Sequence, residues 1–395
     1  MSDPRPDLAS PSYWPALDGL RGVAILLVFG FHLPFGPFRS GSYGVILFFV
    51  LSGYLITTIL LRELDTNDKV NLRRFYTRRA RRLLPALLVV VFAYLVIQVT
   101  VLGDPEQWWG RSWPVLAYIA NYAELSGAQL FHLTHTWSLA IEEHFYLLWP
   151  VVLLAIPSRR RLAITCSLVV ALVLWRHGLL LSGLPRDRIY FGTDTNAFAP
   201  LVGCALAIAL HERRLPVAGR NVSSLAVGLL ILASCIQWQY FDRRLLYGTF
   251  PVAILAMFAI YGAIHQPASW LEHPVLRWFG KVSYGLYLWH YMIISLPWEQ
   301  LLPVPPVVPM IAVPIVLAGL SWRFIEAPLL GRKPRTERPR PARHAPAPIT
   351  APIDHASSTD LSAAQLVDSN HLVRHRHRRR METGGVHISN ETLQD

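Results

Sequence analysis

Charged residues are scarce in this chain of 395 residues, where Asp, Glu, Lys and Arg together make up only 16%. Soluble globular domains carry about 25%, whereas hydrophobic residues here reach 53%. Such a long chain with so little charge is neither a soluble domain nor a disordered one, and it indicates that a lipid bilayer is its solvent. The net charge of +12 lies in short clusters between apolar runs, so it does not indicate a nucleic-acid partner.

Cysteine pairs and several catalytic motifs are also missing. The three cysteines, Cys166, Cys204 and Cys235, lie far apart, and none has the spacing of a metal-ligand pair. A disulfide framework and a zinc site are therefore unsupported. The sequence has no Gly-rich phosphate loop, HExxH, GxSxG or DxD motif. It therefore gives no support to metal catalysis or nucleotide hydrolysis, and we expect no metal and no bound cofactor.

A membrane helix needs about 20 mostly apolar residues, and ten apolar runs are of suitable length, although the run at 196–210 is short. They lie at 17–36, 42–62, 83–102, 139–157, 162–182, 196–210, 222–240, 248–265, 282–302 and 307–328. The apolar stretch 113–123 is shorter, and we interpret it as interfacial or re-entrant. The pattern predicts an all-α fold, a polytopic membrane helix bundle with about ten transmembrane helices.

Basic clusters predict how these helices are oriented. The segment 62–82 contains eight Lys and Arg residues, and such an excess is typical of cytoplasmic loops. Ten spans then place both termini in the cytoplasm. We expect a cytoplasmic N-terminal segment at 1–13, a membrane domain at 14–330, and a disordered basic cytoplasmic tail at 331–395 that can contact membrane lipids.

Two ionisable residues, Arg21 and His32, interrupt the first apolar run, 11 residues apart. That separation is about three helical turns, roughly 16 Å along the axis, so both side chains share one face. Taken alone, Arg21 is explained as an anchor that reaches the interface, and His32 as a hydrogen-bonded structural group. Because charge inside a span is costly and usually marks a site, their shared face favours a function.

The segment 135–146, HTWSLAIEEHFY, places two carboxylates among aromatic residues at the start of an apolar run. A carboxylate at that depth is expected to pair with a cation. Glu142 is the candidate, and Glu143 is expected to be solvated at the interface.

Three further positions carry ionisable side chains near or within the last two spans. His290 lies inside the ninth predicted span, and Arg323 and Glu326 are three residues apart near the end of the tenth. That spacing puts Arg323 and Glu326 on one helical face, where a structural ion pair is the simpler explanation.

Four arginines precede the third span, at Arg78, Arg79, Arg81 and Arg82. The preference of cytoplasmic loops for positive charge fully explains the cluster. The same cluster also suits a ligand that carries several phosphates.

These segments together resemble the acyltransferase-3 family of integral membrane O-acyltransferases over about residues 14–330. The resemblance rests on six ordered motifs, ALDGLRGVAILLVFGFH, GVILFFVLSGYLI, FYTRRARRLLPAL, HTWSLAIEEHFYLLWP, SYGLYLWH and RFIEAPL. The family's Arg–(ten residues)–His motif falls on Arg21 and His32. Its RxxR pattern fits either Arg78 with Arg81 or Arg79 with Arg82. Its WSL-x-x-E-x-x-FY segment falls on Trp137, Ser138, Glu142 and Tyr146.

The resemblance implies a ten-helix enzyme of the bacterial inner membrane. It would move an acyl group, with acetyl as the default, from cytoplasmic acyl-CoA to a hydroxyl of a carbohydrate-containing acceptor. Surface glycans, peptidoglycan, lipid-linked sugars and glycosylated metabolites are all acceptors in the family. Acyl-CoA is then a co-substrate, and the resemblance is to the stand-alone form without a fused SGNH domain.

The same resemblance implies roles for individual residues. Arg21 and the arginines at 78–82 would bind the phosphates of the donor, and His32 would take the proton of the acceptor hydroxyl. Either Glu326 or Glu142 would orient the imidazole of His32. Supporting roles are expected for Trp137, Ser138, Tyr146 and His290.

Another function class fits the same ionisable residues. A proton-coupled transporter, or a flippase of glycan or lipid precursors, also places Arg, His and Glu inside its spans. Such transporters more often show internal repeats, and no repeat of fixed period is evident here.

The predicted topology can be tested by thiol labelling of a variant without the native cysteines. Cysteines introduced near Glu106 and Arg186 should react with an impermeant reagent added outside, because their loops carry little positive charge. Cysteines near Lys69 and Arg160 should stay unlabelled until the membrane is permeabilised. Labelling near Arg160 from outside would show that the stretch 113–123 crosses the membrane.

Overall fold

The computed structural model describes residues 13–237, 247–301 and 305–329, and every regular element within these ranges is a helix. The α-helices are α1 (Pro15–His32), α2 (Tyr43–Asn67), α3 (Leu72–Ile97), α4 (Trp108–Leu116), α5 (Ala120–Leu125), α6 (Trp137–Ala155), α7 (Arg161–Leu181), α8 (Arg186–Phe191), α9 (Thr193–Asn196), α10 (Phe198–His211), α11 (Val222–Cys235), α12 (Thr249–His265), α13 (Pro274–Lys281), α14 (Ser283–Ile294), α15 (Trp298–Leu301), α16 (Val307–Ser321) and α17 (Ala327–Leu329). Short 3-10 helices lie at Pro105–Gln107, Phe131–Thr136, Ser158–Arg160 and Ser269–Glu272, and π-helical turns lie at Gln98–Leu102 and Trp322–Glu326.

Six helical segments within the described residues are long and apolar enough to cross a membrane. They are Pro15–His32, Tyr43–Asn67, Leu72–Leu102, Phe131–Ala155, Ser158–Leu181 and Val307–Leu329. Three shorter apolar helices, Phe198–His211, Val222–Cys235 and Thr249–His265, coincide with further predicted spans, and α14 begins where the ninth was predicted. The all-helical membrane fold is confirmed, whereas the count of ten spans stays a prediction.

The basic segment 62–82 is mostly helical rather than a loop, which corrects the predicted start of the third span at residue 83. Helix α2 ends at Asn67, where Asp68 adopts a left-handed φ of 55° and its N–H bonds to the Leu64 carbonyl. Helix α3 starts at Leu72, because the side chain of Asn71 accepts a hydrogen bond from the N–H of Arg74 at 2.9 Å. This N-cap satisfies a helix donor that would otherwise lack a partner. The arginines therefore form the first turns of α3, with fixed directions.

Two predicted spans end early for the same physical reason. Helix α1 stops at His32 rather than residue 36, and Pro34 follows. Helix α14 stops at Ile294 rather than residue 302, and Pro297 follows. Proline disfavours helical geometry in the residue before it and lacks an N–H. His32 is consequently the last residue of its helix.

The stretch 113–123 does not form one continuous helix. Helix α4 ends at Leu116 and α5 begins at Ala120, so neither has the length of a span. Between them, Tyr118 adopts a left-handed φ of 56°. This break agrees with the interfacial or re-entrant interpretation.

Helices α2 and α10 approach each other closely through two glycines. A Cβ atom on Gly53 would lie 1.8 Å from the Pro200 carbonyl oxygen, and one on Gly203 would lie 2.0 Å from the Val50 carbonyl oxygen. Small residues allow membrane helices to approach in this way where lipid provides no hydrophobic driving force. The buried residues of α1, α2, α6, α10 and α12 form one continuous core around this contact.

Several expectations lie outside the described residues. They are the cytoplasmic N-terminal segment up to residue 12 and the tail at 331–395. The cytoplasmic placement of both termini stays a prediction for the same reason.

The close contact between α2 and α10 predicts opposite effects for two glycine substitutions. Gly53→Ala should lower stability by about 1–3 kcal/mol, because the new methyl group must push against backbone. Gly228→Ala should be neutral or raise stability by up to about 1 kcal/mol, because no atom lies within 4 Å of a Cβ at that position in α11. Thermal unfolding of the detergent-purified proteins measures both. Equal melting temperatures for Gly53→Ala and wild type would contradict the tight contact.

Candidate functional site

Two neighbouring cavities lie among α1, α2, α3 and α6. The N-terminal cavity has a volume of about 280 Å³ and is lined by the start of α1, including Tyr13, Trp14 and Asp18. The central cavity has a volume of about 110 Å³ and extends to Ser138, Glu142 and Tyr287. Both cavities are lined by the same four residues, Arg21, Arg79, Arg82 and Tyr146. These four residues therefore form the boundary between the cavities.

Helix α3 presents only two of its four clustered arginines to this boundary. Arg79 and Arg82 are partly buried and line both cavities, whereas Arg78 and Arg81 are exposed. A spacing of three residues keeps Arg79 and Arg82 on one helical face. Of the two alternatives that the sequence left open for the RxxR pattern, the geometry favours Arg79 with Arg82.

Arg79 is held by carboxylates from α6. Its Nε and Nη2 donate to Glu143 at 2.5–3.0 Å, and Nη2 lies 3.8 Å from Oε1 of Glu142. Its guanidinium carbon lies 3.0 Å from the centroid of the Tyr146 ring. The expectation that Glu143 is solvated was wrong, because its side chain is only 18% exposed and takes the guanidinium of Arg79 as its counter-ion.

Glu142 faces the central cavity beside Arg79. Its Oε1 accepts hydrogen bonds from Ser52 at 2.5 Å and from Tyr146 at 2.6 Å. The two hydroxyl donors come from α2 and from the next turn of α6. Glu142 therefore has the partners that an ionised carboxylate needs within the bundle.

The other two boundary arginines are less fully paired. Arg21 forms an ion pair with Asp18 at 3.8 Å, and a quarter of its side chain is exposed. The guanidinium of Arg82 makes no hydrogen bond or ion pair with the residues that the structure describes. Arg82 thus presents its donors to the cavities, as a site for an anionic ligand requires.

His32 lies in a separate cluster of three histidines. Nδ1 of His32 lies 3.2 Å from Nε2 of His290, and the ring centroids of His135 and His290 are 5.2 Å apart. Tyr291 also contacts the ring of His32, at 4.9 Å between centroids. His290, which the sequence suggested only as a supporting residue, is thus in direct contact with His32.

Backbone carbonyls fix the tautomers of His32 and His290. Nδ1 of His32 lies 2.9 Å from the Val28 oxygen, and Nδ1 of His290 lies 2.7 Å from the Tyr287 oxygen. Because a carbonyl oxygen can only accept, each Nδ1 carries the proton. The neutral ring of His32 then keeps the lone pair on Nε2, the nitrogen available to act as a base.

Tyr287 and Ser138 connect the central cavity to the histidine cluster. Their hydroxyl oxygens are 2.6 Å apart, and the Tyr287 hydroxyl donates to the His135 carbonyl at 2.7 Å. Both residues line the central cavity, and the Tyr287 ring lies 5.5 Å from that of His290. The central cavity thus ends at Tyr287, whose side chain contacts both His135 and His290.

Neither proposed carboxylate partner of His32 contacts it. Glu142 bonds to Ser52 and Tyr146, while Glu326 is 2% exposed and accepts a hydrogen bond from Ser321 at 3.0 Å. Oε1 of Glu326 would lie 2.9 Å from a Cβ on Gly285, so this carboxylate packs against α14. In this structure His290 takes the place that the sequence analysis gave to a glutamate.

The suggested ion pair between Arg323 and Glu326 is not formed. Arg323 is exposed and its guanidinium carbon lies 5.9 Å from the Phe324 ring, whereas Glu326 is buried. The segment Trp322–Glu326 is a π-helical turn. Its wider turn removes the alignment that an α-helix gives residues three apart.

Sequence reasoning missed four residues of this region, Asp18, Ser52, His135 and Tyr287. Two signals were available. Asp18 stands three residues before Arg21, the spacing of a helical ion pair. His135 stands two residues before Trp137, within a motif that had been singled out. The roles of Ser52 and Tyr287 depend on contacts between helices, which no local pattern reports.

Comparison with known proteins places the chain in a family. Residues 14–323 match the family model Acyl_transf_3, described as "Acyltransferase domain". The peptidoglycan O-acetyltransferase OatA of Listeria monocytogenes is 36% identical over 353 residues, covering 81% of this chain and 56% of that protein. YrhL of Bacillus subtilis, provisionally named a peptidoglycan O-acetyltransferase, is 37% identical over 354 residues, covering 80% of this chain and 55% of that protein.

A Staphylococcus aureus protein, provisionally named an O-acetyltransferase, is 33% identical over 356 residues, covering 80% of this chain and 57% of that protein. The chain thus spans little more than half the length of these relatives. No solved structure matches it. The family match covers the arginine boundary, both cavities and the histidine cluster, and on these grounds the chain belongs to the Acyl_transf_3 family of acyltransferase domains, as a multi-pass membrane member.

Proposed function

We propose that this protein transfers an acetyl group from acyl-CoA to a hydroxyl of a cell-wall glycan, with peptidoglycan as the first candidate. One observation carries the proposal. Two cavities meet at three arginines, and the central one ends at Tyr287, which contacts His290, the neighbour of a histidine whose tautomer leaves Nε2 free. An acyl-CoA donor needs cationic groups for its phosphates and, at the other end, a base near its thioester.

The N-terminal cavity is suited to the nucleotide end of the donor. It is the larger of the two, and the guanidinium of Arg62 lies over the ring of Trp14 at its wall, 4.7 Å from the centroid. Phosphates placed at its inner end would meet Arg21 and Arg82. Arginine binds phosphate through paired N–H donors with fixed geometry. The positive-inside orientation would open this cavity to the cytoplasm, where acyl-CoA is made.

Arg79 and Arg82 have different tasks in this proposal. Arg79 already donates to Glu143 and contacts Tyr146. Its guanidinium is therefore paired within the protein and holds α3 against α6. Arg82 follows one helical turn later with its donors unused by the described residues. Arg82 is therefore the principal phosphate ligand, and Arg79 is a positioning residue.

The acyl end would extend through the central cavity toward Tyr287 and Ser138. Nε2 of His32 takes the proton from the acceptor hydroxyl as its oxygen attacks the thioester carbonyl carbon. The C–S bond breaks, and the imidazolium returns the proton to the departing thiolate, so the ring ends neutral. A positioned histidine contributes about 10²–10⁴-fold to such a step. His290 holds the ring of His32 in place.

The proposed acceptor follows from the relatives. The name of the Listeria monocytogenes protein states peptidoglycan as its acceptor and acetyl as its group. A hydroxyl acceptor outside the membrane is consistent with His32 at the end of α1 opposite Arg21. The distance of roughly 16 Å between these residues along a continuous helix is suited to a donor that binds at one side and reacts toward the other.

The assignment of phosphate binding predicts different effects for neighbouring arginines. Arg82→Ala should raise the KM for acetyl-CoA roughly tenfold to a hundredfold, because hydrogen bonds to a charged group are worth about 1.5–3 kcal/mol. Arg82→Lys should recover part of the loss, since a lysine supplies charge without the guanidinium fork. Initial rates of labelled acetyl transfer in membrane vesicles, measured across donor concentrations, give these constants.

Arg81→Ala is the matched control for Arg82→Ala. Arg81 is the preceding residue of the same helix and is exposed. Its removal should leave the donor KM within about twofold of wild type, because exposed charges contribute little. If Arg81→Ala and Arg82→Ala raise the KM equally, the effect comes from the net charge of the cluster, and the boundary is not a phosphate site.

The base assignment predicts a severe loss in His32→Gln. The amide keeps a hydrogen-bonding group of similar reach but cannot accept the proton. Acetyl transfer should fall by about 10²–10⁴-fold, with normal membrane insertion and little change in donor KM. Transfer of labelled acetyl groups to cell-wall glycan, normalised to protein amount, measures the effect.

His265→Gln is the control for this substitution. His265 is the last residue of α12, as His32 is of α1, and its Nδ1 bonds to the carbonyl four residues earlier at 3.0 Å. Its ring contacts that of Tyr261, and it lies outside the histidine cluster. Its variant should keep near-normal transfer. A His32→Gln protein that keeps more than a tenth of the wild-type rate would show that His32 is structural.

A further inference from the structure

A third cavity lies between the beginnings of α2 and α6 and the side of α7, apart from the arginine boundary. Its volume is about 20 Å³, enough for one water-sized occupant. Its wall is mostly apolar but includes the side chains of Ser42, Trp137, Arg176 and Asn196, and no carboxylate is among the described residues that line it.

Arg176 is a buried cation without an acidic partner. Its side chain is 1% exposed, and none of the described carboxylates forms an ion pair with it. Asp194, which is near in sequence to its contacts, bonds instead to Arg188 and Trp175. Burying an unpaired charge costs several kcal/mol.

Carbonyl groups compensate only part of this charge. Nη1 of Arg176 donates to the Thr195 oxygen at 2.8 Å, to the Ile189 oxygen at 3.3 Å and to Oδ1 of Asn196 at 3.4 Å. Nε is buried and has no hydrogen-bond partner among the described residues. Neutral dipoles orient the guanidinium and leave its net charge in place.

The other groups at the wall favour an anion over a water molecule or a cation. The indole N–H of Trp137 is a donor only, as is the guanidinium, and Ser42 adds a hydroxyl. Helix α2 begins at this wall with the positive end of its dipole. Its first N–H groups bond to the preceding turn, so the helix contributes a field rather than direct ligands.

We propose that this cavity binds one small monovalent anion, with the guanidinium of Arg176 as its counter-charge and Ser42 and Trp137 as further donors. The ligand is either a free halide or a single carboxylate group that belongs to a larger molecule. The site is close to the central cavity, because Val45 lines both and Ser138, next to Trp137, lines the central one. It does not depend on the proposed acetyl transfer.

Thermal unfolding of the purified full-length protein at constant ionic strength tests this site without using activity. Replacing gluconate, which is too large for the cavity, by chloride should raise the melting temperature by several degrees, because a ligand that binds only the folded state stabilises it. A parallel measurement replaces gluconate by formate, the smallest carboxylate. A rise with chloride indicates a halide site, and a rise with formate alone indicates a carboxylate site.

Two variants test whether the anion-dependent rise in melting temperature comes from this cavity. Arg176→Gln should abolish the anion-dependent rise, and Trp137→Phe, which keeps an aromatic ring but removes the N–H, should require more anion for the same rise. Arg188→Gln is the control, since Arg188 is an arginine of the same region whose charge is paired with Asp194, and it should keep the full rise.

If Arg176→Gln does not fold, the anion concentration at half-maximal rise in Trp137→Phe decides the question. Identical melting temperatures of the wild-type protein in gluconate, chloride and formate would overturn the proposal and leave water as the occupant. An undiminished rise in Arg176→Gln would overturn it as well. Neither result would affect the proposed acetyl transfer.

Discussion

The contact between Arg79 and Glu143 sets the position of α3, and the site depends on that position. Only a third of the apolar part of α3 is buried within the protein, so most of its surface faces the lipid region. Lipid offers no hydrophobic gain for packing one helix on another, and polar contacts gain importance. Besides the ion pair, the Tyr76 hydroxyl bonds to the Leu147 carbonyl at 3.0 Å and Tyr284 bonds to the Leu83 carbonyl at 2.9 Å. These contacts fix both sides of the helix that carries Arg82.

In the proposed function, this arrangement separates stability from ligand binding along a single helix face. A guanidinium buried among membrane helices must be compensated by charge or hydrogen bonds. Arg79 has both, from Glu143 and from the ring of Tyr146. Arg82 has no hydrogen bond or ion pair within the described residues and only a longer-range interaction with Glu326, so in the proposed function a bound anion would add the missing hydrogen bonds. A single arginine could not hold α3 and bind an anion without weakening one of the two interactions.

Sequence reasoning recovered what depends on local periodicity. The apolar runs located the helices, and the spacing of Arg21 and His32 placed them on one face of an unbroken helix. Sequence reasoning failed where a contact between two helices determines the partner of a side chain. The partner of Arg79 is Glu143, and the partner of His32 is His290, 258 residues away. Nothing in the order of residues indicates which of two adjacent glutamates bonds to Arg79, or that two histidines from distant motifs meet. The predicted helix boundaries were wrong where a capping residue or a proline, rather than the extent of the apolar run, sets the end of the helix, as at Asn71 and Pro34.

Helix α1 connects the two halves of the site and limits what mechanism they can support. It is continuous from Pro15 to His32, so the roughly 16 Å between Arg21 and His32 does not change unless the helix breaks. In the proposed function, a donor bound through its phosphates at Arg21 and Arg82 would therefore present its far end at a fixed depth. Tyr287 and Ser138 lie between the central cavity and the histidines. The hydroxyls of Tyr287 and Ser138 bond to each other, which leaves two routes for the proposed reaction. Either this contact opens and the donor reaches His32, or the acceptor oxygen enters from the side of the histidines. The second route would leave the contact between Tyr287 and Ser138 intact, and it would put the base on the acceptor's side of the thioester, where the proton has to be removed.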